Sequence, residues 1–175
     1  MPPDSAPLRT QPPRSTAAAA SVRRFRSEDV DVVMRIAAES PEAAAWSRES
    51  YVRLPEQTEA LALILEEKTG TGVEIRGFLV GRTVGSQAEV LNLAVAGSTR
   101  RRGYASSLLR ATLEAFQSAG AESAYLEVRQ SNTGAIAFYT HHGFERTGIR
   151  PGYYRDPDEP AVIMSRFLEQ GKSTG

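Results

Sequence analysis

Three short stretches of this chain carry residue types and spacings that could do chemistry. The first is Arg100-Arg101-Arg102-Gly103-Tyr104-Ala105-Ser106, in which three cations run into a glycine and small residues where an amphipathic segment begins. The opening turn of a helix has unpaired N–H groups at the positive end of the dipole, so it binds phosphate oxygens. Gly103 lets the main chain approach a diphosphate closely because no Cβ intervenes, and Ala105 is small to the same effect. The segment reads as a pyrophosphate cradle; alone, the same residues also describe a basic turn opening a surface helix. The second stretch is Leu126-Glu127-Val128-Arg129-Gln130-Ser131-Asn132. Alternation turns Glu127 to the face opposite Leu126 and Val128, where a carboxylate facing a cleft can take a proton through water. An exposed strand glutamate is the ordinary reading of such a position. The third is Ala137-Phe138-Tyr139, separated by three residues from Gly143-Phe144. A tyrosine with a pKa near 10 is protonated at neutral pH and can donate; it can equally be packing a helix on a sheet.

With Glu89-Val90-Leu91-Asn92-Leu93-Ala94-Val95 ahead of them, these stretches stand in an order and spacing that resembles the GCN5-related N-acetyltransferase (GNAT) family. The similarity runs from about Ser21 to Phe167 and is greatest to the RimI type, the bacterial ribosomal-protein alanine N-acetyltransferases. The resemblance implies acetyl transfer from acetyl-CoA to an amine, directly in a ternary complex, with no metal. It implies Glu127 as general base and Tyr139 as the acid that protonates the departing thiolate. It implies cofactor binding by Arg100, Arg101, Arg102, Gly103, Tyr104, Ala105 and Ser106, and by Asn132, which can also cap the following helix. Leu93, Ala94 and Val95 would pair with pantetheine through their main chain, where an N–H can also serve the oxyanion. Trp46, in Ala45-Trp46-Ser47, and Tyr153 and Tyr154, in Arg150-Pro151-Gly152-Tyr153-Tyr154, match the acceptor-flanking segments of the RimI type. Each also reads as packing or as surface aromatic. The implied acceptor is the N-terminal alanine of small-subunit ribosomal protein eighteen. A small-molecule amine or a protein lysine is the alternative acceptor, and a non-catalytic acyl-CoA-binding module a third reading. His142 and Pro160 depart from the family pattern, which has an apolar and an acidic residue there.

Composition narrows the field. The 175 residues include 21 basic and 21 acidic side chains, so no global charge draws the chain to nucleic acid or membrane, and the basic residues concentrate locally at Arg100, Arg101 and Arg102. There is no cysteine, hence no disulfide, thiolate nucleophile or Cys-based metal site. The two histidines are adjacent and cannot chelate from one helix face. No apolar run approaches the ~20 residues of a membrane span. A cytoplasmic location is expected.

The elements that must position these residues follow from periodicity. Residues 1–20, with Pro2, Pro3, Pro7, Pro12 and Pro13, read as a disordered tail lacking the apolar segment of a secretory signal. Residues 21–168 read as one acetyltransferase domain and 169–175 as a polar tail. A strand is expected at 22–26, then a helix with Ser27 as N-cap, a short helix from Ser47, and strands at 60–65, 73–80 and 88–95. Leu108, Leu109, Thr112, Leu113 and Phe116 mark one face of a helix that Gly120 ends. A strand at 122–128, a helix at 133–142 and strands at 144–149 and 162–167 follow, with 151–160 as a loop. The fold class is α/β (α+β). The resemblance implies the GNAT acyltransferase fold: a central, mostly antiparallel mixed sheet, flanked by helices, with two parallel strands splayed apart for the pantetheine arm.

Overall fold

A computed structural model describes residues 19–40 and 42–169. Seven strands form one sheet: β1 (Ala20–Arg24), β2 (Ala60–Thr69), β3 (Gly72–Val84), β4 (Gln87–Val95), β5 (Ser123–Arg129), β6 (Glu145–Tyr154) and β7 (Glu159–Phe167). Their spatial order is β1-β2-β3-β4-β5-β7-β6, antiparallel throughout except for β4 beside β5. Helices α1 (Val30–Ala38) and α2 (Arg48–Val52) cover one face; α3 (Tyr104–Ser118) and α4 (Thr133–His141) cover the other. The sheet therefore has two cores. Leu63, Leu65, Leu79 and Leu126 meet Leu108, Leu109, Phe116, Ile136 and Phe144 on the α3–α4 side. Ile64, Phe78, Val80 and Ala94 meet Val33, Ile36 and Tyr51 on the α1–α2 side. Burial on both faces is why residues 60–65 read as an unbroken apolar run.

The element that matters most for function is a defect. Along β3 and β4, Val80 pairs with Asn92 but Gly81 pairs with Val90, leaving Leu91 as an extra residue. Such a bulge bends the strand and increases its twist. The parallel pairing of β4 with β5 ends at the same level, at Val90 with Leu126. From residue 91 onward the two strands part. Gly81 permits this geometry: a Cβ there would lie 2.5 Å from the Phe116 ring and 2.8 Å from the Glu89 carbonyl oxygen. The bulge also puts Leu91 and Asn92 on the same face, toward α1 and α2, before alternation resumes at Leu93.

The first strand begins at Ala20, inside the stretch expected as tail, because Ala19 and Ala20 already bond or pair with β2; residues 1–18 and 170–175 lie outside the described residues. Ser27 is not the N-cap of α1. It opens a 3-10 turn (Ser27–Asp29) whose reciprocal link is Asp29 Oδ2 accepting from the Arg26 N–H at 2.7 Å, and Asp29 is held by Arg23. The expected 151–160 loop is mostly strand: β6 runs to Tyr154 and β7 starts at Glu159, so the turn is confined to residues 155–158. Pro151 is tolerated because β6 is an edge strand. The short helix expected from Ser47 is α2, which Ser47 caps by accepting from the Ser50 N–H, and Asn132 caps α4, accepting from the Ala135 N–H at 3.0 Å.

Candidate active site

The turn read from the sequence as a cradle stands directly before α3. Gly103 adopts a left-handed conformation (φ 80°) that turns the chain into the helix. No side chain caps this helix, and the first intrahelical bond there runs from the Ser107 N–H to the Gly103 carbonyl. The N–H groups of Tyr104, Ala105 and Ser106 thus have no acceptor among the described residues. A Cβ on Gly103 would meet nothing within 4 Å, so the approach to these donors is open.

The three arginines do different work. Arg100 donates to the Glu39 carbonyl oxygen at 3.1 Å and to Ser40 Oγ at 3.3 Å, tying the loop to the end of α1. Glu39 returns the contact by accepting from the Gly97 N–H at 3.0 Å. Arg102 donates to Glu67 at 2.7 Å and lies over the Tyr104 ring. Glu67, only 2 % exposed, also accepts from the Tyr104 hydroxyl at 2.6 Å and from Arg76 at 2.8 Å. These donors, Tyr104 foremost, hold its carboxyl down to about pKa 2. Arg101 is exposed and has no partner among the described residues, so it is the arginine left for an anion. Nothing in the sequence marked Glu67, which follows Glu66 in an ordinary-looking acidic pair.

Glu127 stands one residue past the last β4–β5 pair, its side chain 12 % exposed and opposite in facing to Leu126 and Val128. Arg150, reaching across β7 from β6, lies 3.0 Å from Glu127 Oε1. Glu127 beside the Tyr153 hydroxyl pushes its pKa up. Tyr154 is raised too, by burial and then by Glu127. Its ring stacks under Arg129, 4.3 Å from the guanidinium carbon. Glu159, a residue passed over in sequence, anchors this end of the site. It accepts from Arg129 at 2.8 Å, from the Ser131 N–H at 3.0 Å and from the Ser131 hydroxyl at 3.0 Å. An acidic residue therefore serves this turn one position before Pro160, where the family pattern would place it one later.

Tyr139 lies on α4, on the other side of the sheet, 8 % exposed and packed edge-on against Phe138 and Phe144. Its hydroxyl has no hydrogen-bond partner among the described residues, and burial, then the nearby Tyr154, raises its pKa well above the ordinary tyrosine range. Tyr154 is thus electrostatically coupled to both Glu127 and Tyr139. Leu93, Ala94 and Val95 lie where the β4 edge has lost β5, leaving main-chain groups without a partner strand on that side. Trp46 packs near Tyr51, whose hydroxyl accepts from Asn92 Nδ2 at 3.2 Å. The same amide donates to the Ala44 carbonyl at 3.1 Å, which fixes the segment bearing Trp46. A cleft of about 340 Å³ opens between Trp46, Leu54, Leu91 and Arg82 on this face. Among the described residues there is no group of three or more His, Asp or Glu able to hold a metal ion, and no helix long and apolar enough to cross a membrane.

The site thus combines a free helix start, a parted pair of parallel strands and a carboxylate at the parting. Residues 30–144 match the acetyltransferase (GNAT) family. The chain belongs to the GNAT acetyltransferase family. It is an acetyl-CoA-dependent N-acetyltransferase. A [ribosomal protein bS18]-alanine N-acetyltransferase of Haemophilus ducreyi is 41 % identical over 97 residues, 54 % of this chain and 67 % of that protein. A Bacillus subtilis protein provisionally named for the same activity is 34 % identical over 146 residues, 83 % of this chain and 93 % of its own length. The crystal structure of the ribosomal-protein-S18-alanine N-acetyltransferase from Escherichia coli superposes with a TM-score of 0.74 at 26 % identity, covering 90 % of this chain and 99 % of that one. The residues of this acetyltransferase fit its co-substrate: unpaired N–H donors and Arg101 suit a diphosphate, and the unpaired β4 edge suits an amide-bearing arm.

Proposed function

We propose that this acetyltransferase acts on a protein N-terminal α-amine, the N-terminal alanine of ribosomal protein S18, in the cytoplasm. The observation that carries the reading is the opening of the sheet at Val90 and Leu126, with free N–H donors on one side and Glu127 on the other. The acceptor assignment is supported by the two relatives of that name, which match at 41 % and 34 % identity. Chemistry favours it as well. With a pKa near 8, roughly a tenth of α-amines are neutral at pH 7, against fewer than about one in a thousand lysines. A carboxylate working through water suits the easier proton.

Acetyl-CoA supplies the activated acetyl group as a thioester and leaves as the thiolate. The N–H groups of Tyr104, Ala105 and Ser106, with Arg101, hold the diphosphate; the free edge of β4 at Leu93, Ala94 and Val95 aligns the pantetheine arm and offers an N–H to the thioester oxygen. Asn132 reaches the same arm from the start of α4. Trp46, Tyr153 and Tyr154 flank the acceptor, and Arg150 fixes the carboxylate of Glu127. Glu127 takes the proton from the acceptor ammonium through water. Tyr139, kept protonated by burial, gives its proton to the departing sulfur.

The test is acetyl transfer to two synthetic peptides, read by mass spectrometry. One carries the free N-terminal alanine and opening residues of S18 from the same organism; the other has a blocked N-terminus and several lysines. Modification of the first alone is the expected result. Modification of only the second, or of neither while acetyl-CoA binds, would move the acceptor to a lysine or a small amine.

A further inference from the structure

One polar contact joins the helix that starts at the cradle to the helix that carries Tyr139. Ser106 Oγ, in the first turn of α3, lies 2.9 Å from His142 Nε2 at the C-cap of α4. The rest of that side is apolar core, with Leu108 and Leu109 on one helix and Ile136 and Tyr139 on the other. The imidazole is fixed on its other sides. Its ring packs 4.7 Å from Phe138 and 5.3 Å from His141, and the main-chain carbonyl oxygen of His142 accepts from Arg166 of β7 at 2.7 Å. The charged and titratable groups facing it are His141 on its own helix, Arg166 on β7 and Arg110 on α3. Together with burial, the largest cause, they lower its pKa below 6.5, so it is neutral in the free protein at neutral pH.

A diphosphate offers only acceptors. For Ser106 to serve it, the hydroxyl hydrogen must point at the ligand, so its oxygen must accept from Nε2. Neutral imidazole does this in one of its two tautomers; imidazolium does it always and adds a charge beside the anion. We infer that His142 is a positioning residue of the cradle, aiming the Ser106 hydroxyl at the diphosphate and taking up a proton as acetyl-CoA binds. The inference rests on the cradle reading of residues 103–106. By linkage, a ligand that favours the protonated form binds more tightly as pH falls through the window between the free and bound pKa values.

The protein has two histidines, which makes the test direct. The imidazole Cε1–H resonances are titrated by NMR from pH 5 to 8 in the free protein and with CoA, 3′-dephospho-CoA or pantetheine. His141→Gln assigns the His142 signal. The pKa of His142 is expected to rise by about half a unit or more with CoA and with 3′-dephospho-CoA, both of which carry the diphosphate, and to stay put with pantetheine. Correspondingly, the Kd for 3′-dephospho-CoA should tighten about threefold from pH 8 to pH 5.5, and this gain should vanish in His142→Leu. Backbone amide shifts of Tyr104, Ala105 and Ser106 report the cradle separately. If they move with CoA while His142 titrates unchanged, the inference is overturned and the cradle stands. If they do not move at saturating CoA, the cradle reading fails and takes the inference with it.

Discussion

On the α3 side of the parted strands, the groups proposed to meet acetyl-CoA are mainly main-chain N–H donors, set by one left-handed glycine and one helix start, with Arg101 and the Ser106 hydroxyl beside them. On the β5–β6 side they are side chains: Glu127, Arg150, Tyr153 and Tyr154 come from two strands with β7 lying between them. The first arrangement needs only consecutive residues. The second needs three strands in register, a turn confined to four residues, and Glu159 holding Ser131 and Arg129 at its far end. The donor side should therefore tolerate change in most of its side chains and little in its backbone. The acceptor side should behave the other way.

The sharpest test of that contrast is Glu127→Gln. It removes the carboxylate proposed to take the proton and keeps the shape, so turnover should fall by roughly 10²-fold or more while the Kd for acetyl-CoA, by calorimetry, stays the same. Turnover within threefold of wild type would take Glu127 out of the role. Tyr139→Phe comes next, with turnover expected to drop about tenfold and cofactor affinity retained. Its pH behaviour is informative as well. The rate should climb as the acceptor amine loses its proton and then hold level to about pH 10, because burial keeps Tyr139 protonated beyond the ordinary tyrosine value. An alkaline fall near pH 10 that Tyr139→Phe abolishes would show the hydroxyl to be solvated instead.

A backbone change on the donor side should show the converse. Gly103→Ala puts a Cβ into open space but at φ 80°, so the cost is conformational and not steric. At about 1 kcal/mol, the substitution should weaken acetyl-CoA about fivefold and lower the thermal midpoint slightly. Unchanged affinity would mean the ligand does not depend on this turn.

The same division explains what could be read from the sequence. The helix start after Gly103, the burial of the α3 face through Leu108, Leu109, Thr112, Leu113 and Phe116, the short helix at Ser47 and the Asn132 cap are local, and the sequence pattern located them. The bulge at Leu91 left no local trace, since an extra residue in an apolar strand changes no periodicity until Asn92, and its partner Gly81 lies ten residues earlier. Arg150 meeting Glu127 depends on strand order, and the 151–160 segment reads as a loop because Pro151 and Gly152 hide an edge strand. Pairing of Arg102 and Tyr104 with Glu67 crosses more than thirty residues of sequence, so the cradle's cations looked interchangeable when only Arg101 is free among the described residues.

Glu67 supports one side of the cleft alone. Its carboxylate supports the donor side from behind, accepting from Tyr104, Arg102 and Arg76, and touches nothing of the acceptor side. Because its pKa is about 2 in the folded protein against an ordinary 4.5, the stability it contributes is complete above pH 4.5 and is lost as pH falls toward 2. Glu67→Gln should therefore lower the thermal midpoint at pH 7, and the gap to wild type should narrow as both are acidified from pH 5 to pH 3. The variant should also bind acetyl-CoA a few-fold more weakly, since releasing Arg102 and Tyr104 loosens the turn that aims the N–H donors, while the KM for the acceptor peptide holds. A gap that stays constant with pH would mean that Glu67 is not the group losing stability in acid. A rise in acceptor KM as large as the loss of acetyl-CoA affinity would mean that the two sides of the cleft are one mechanical unit, and that the division between backbone and side-chain recognition does not extend to their support.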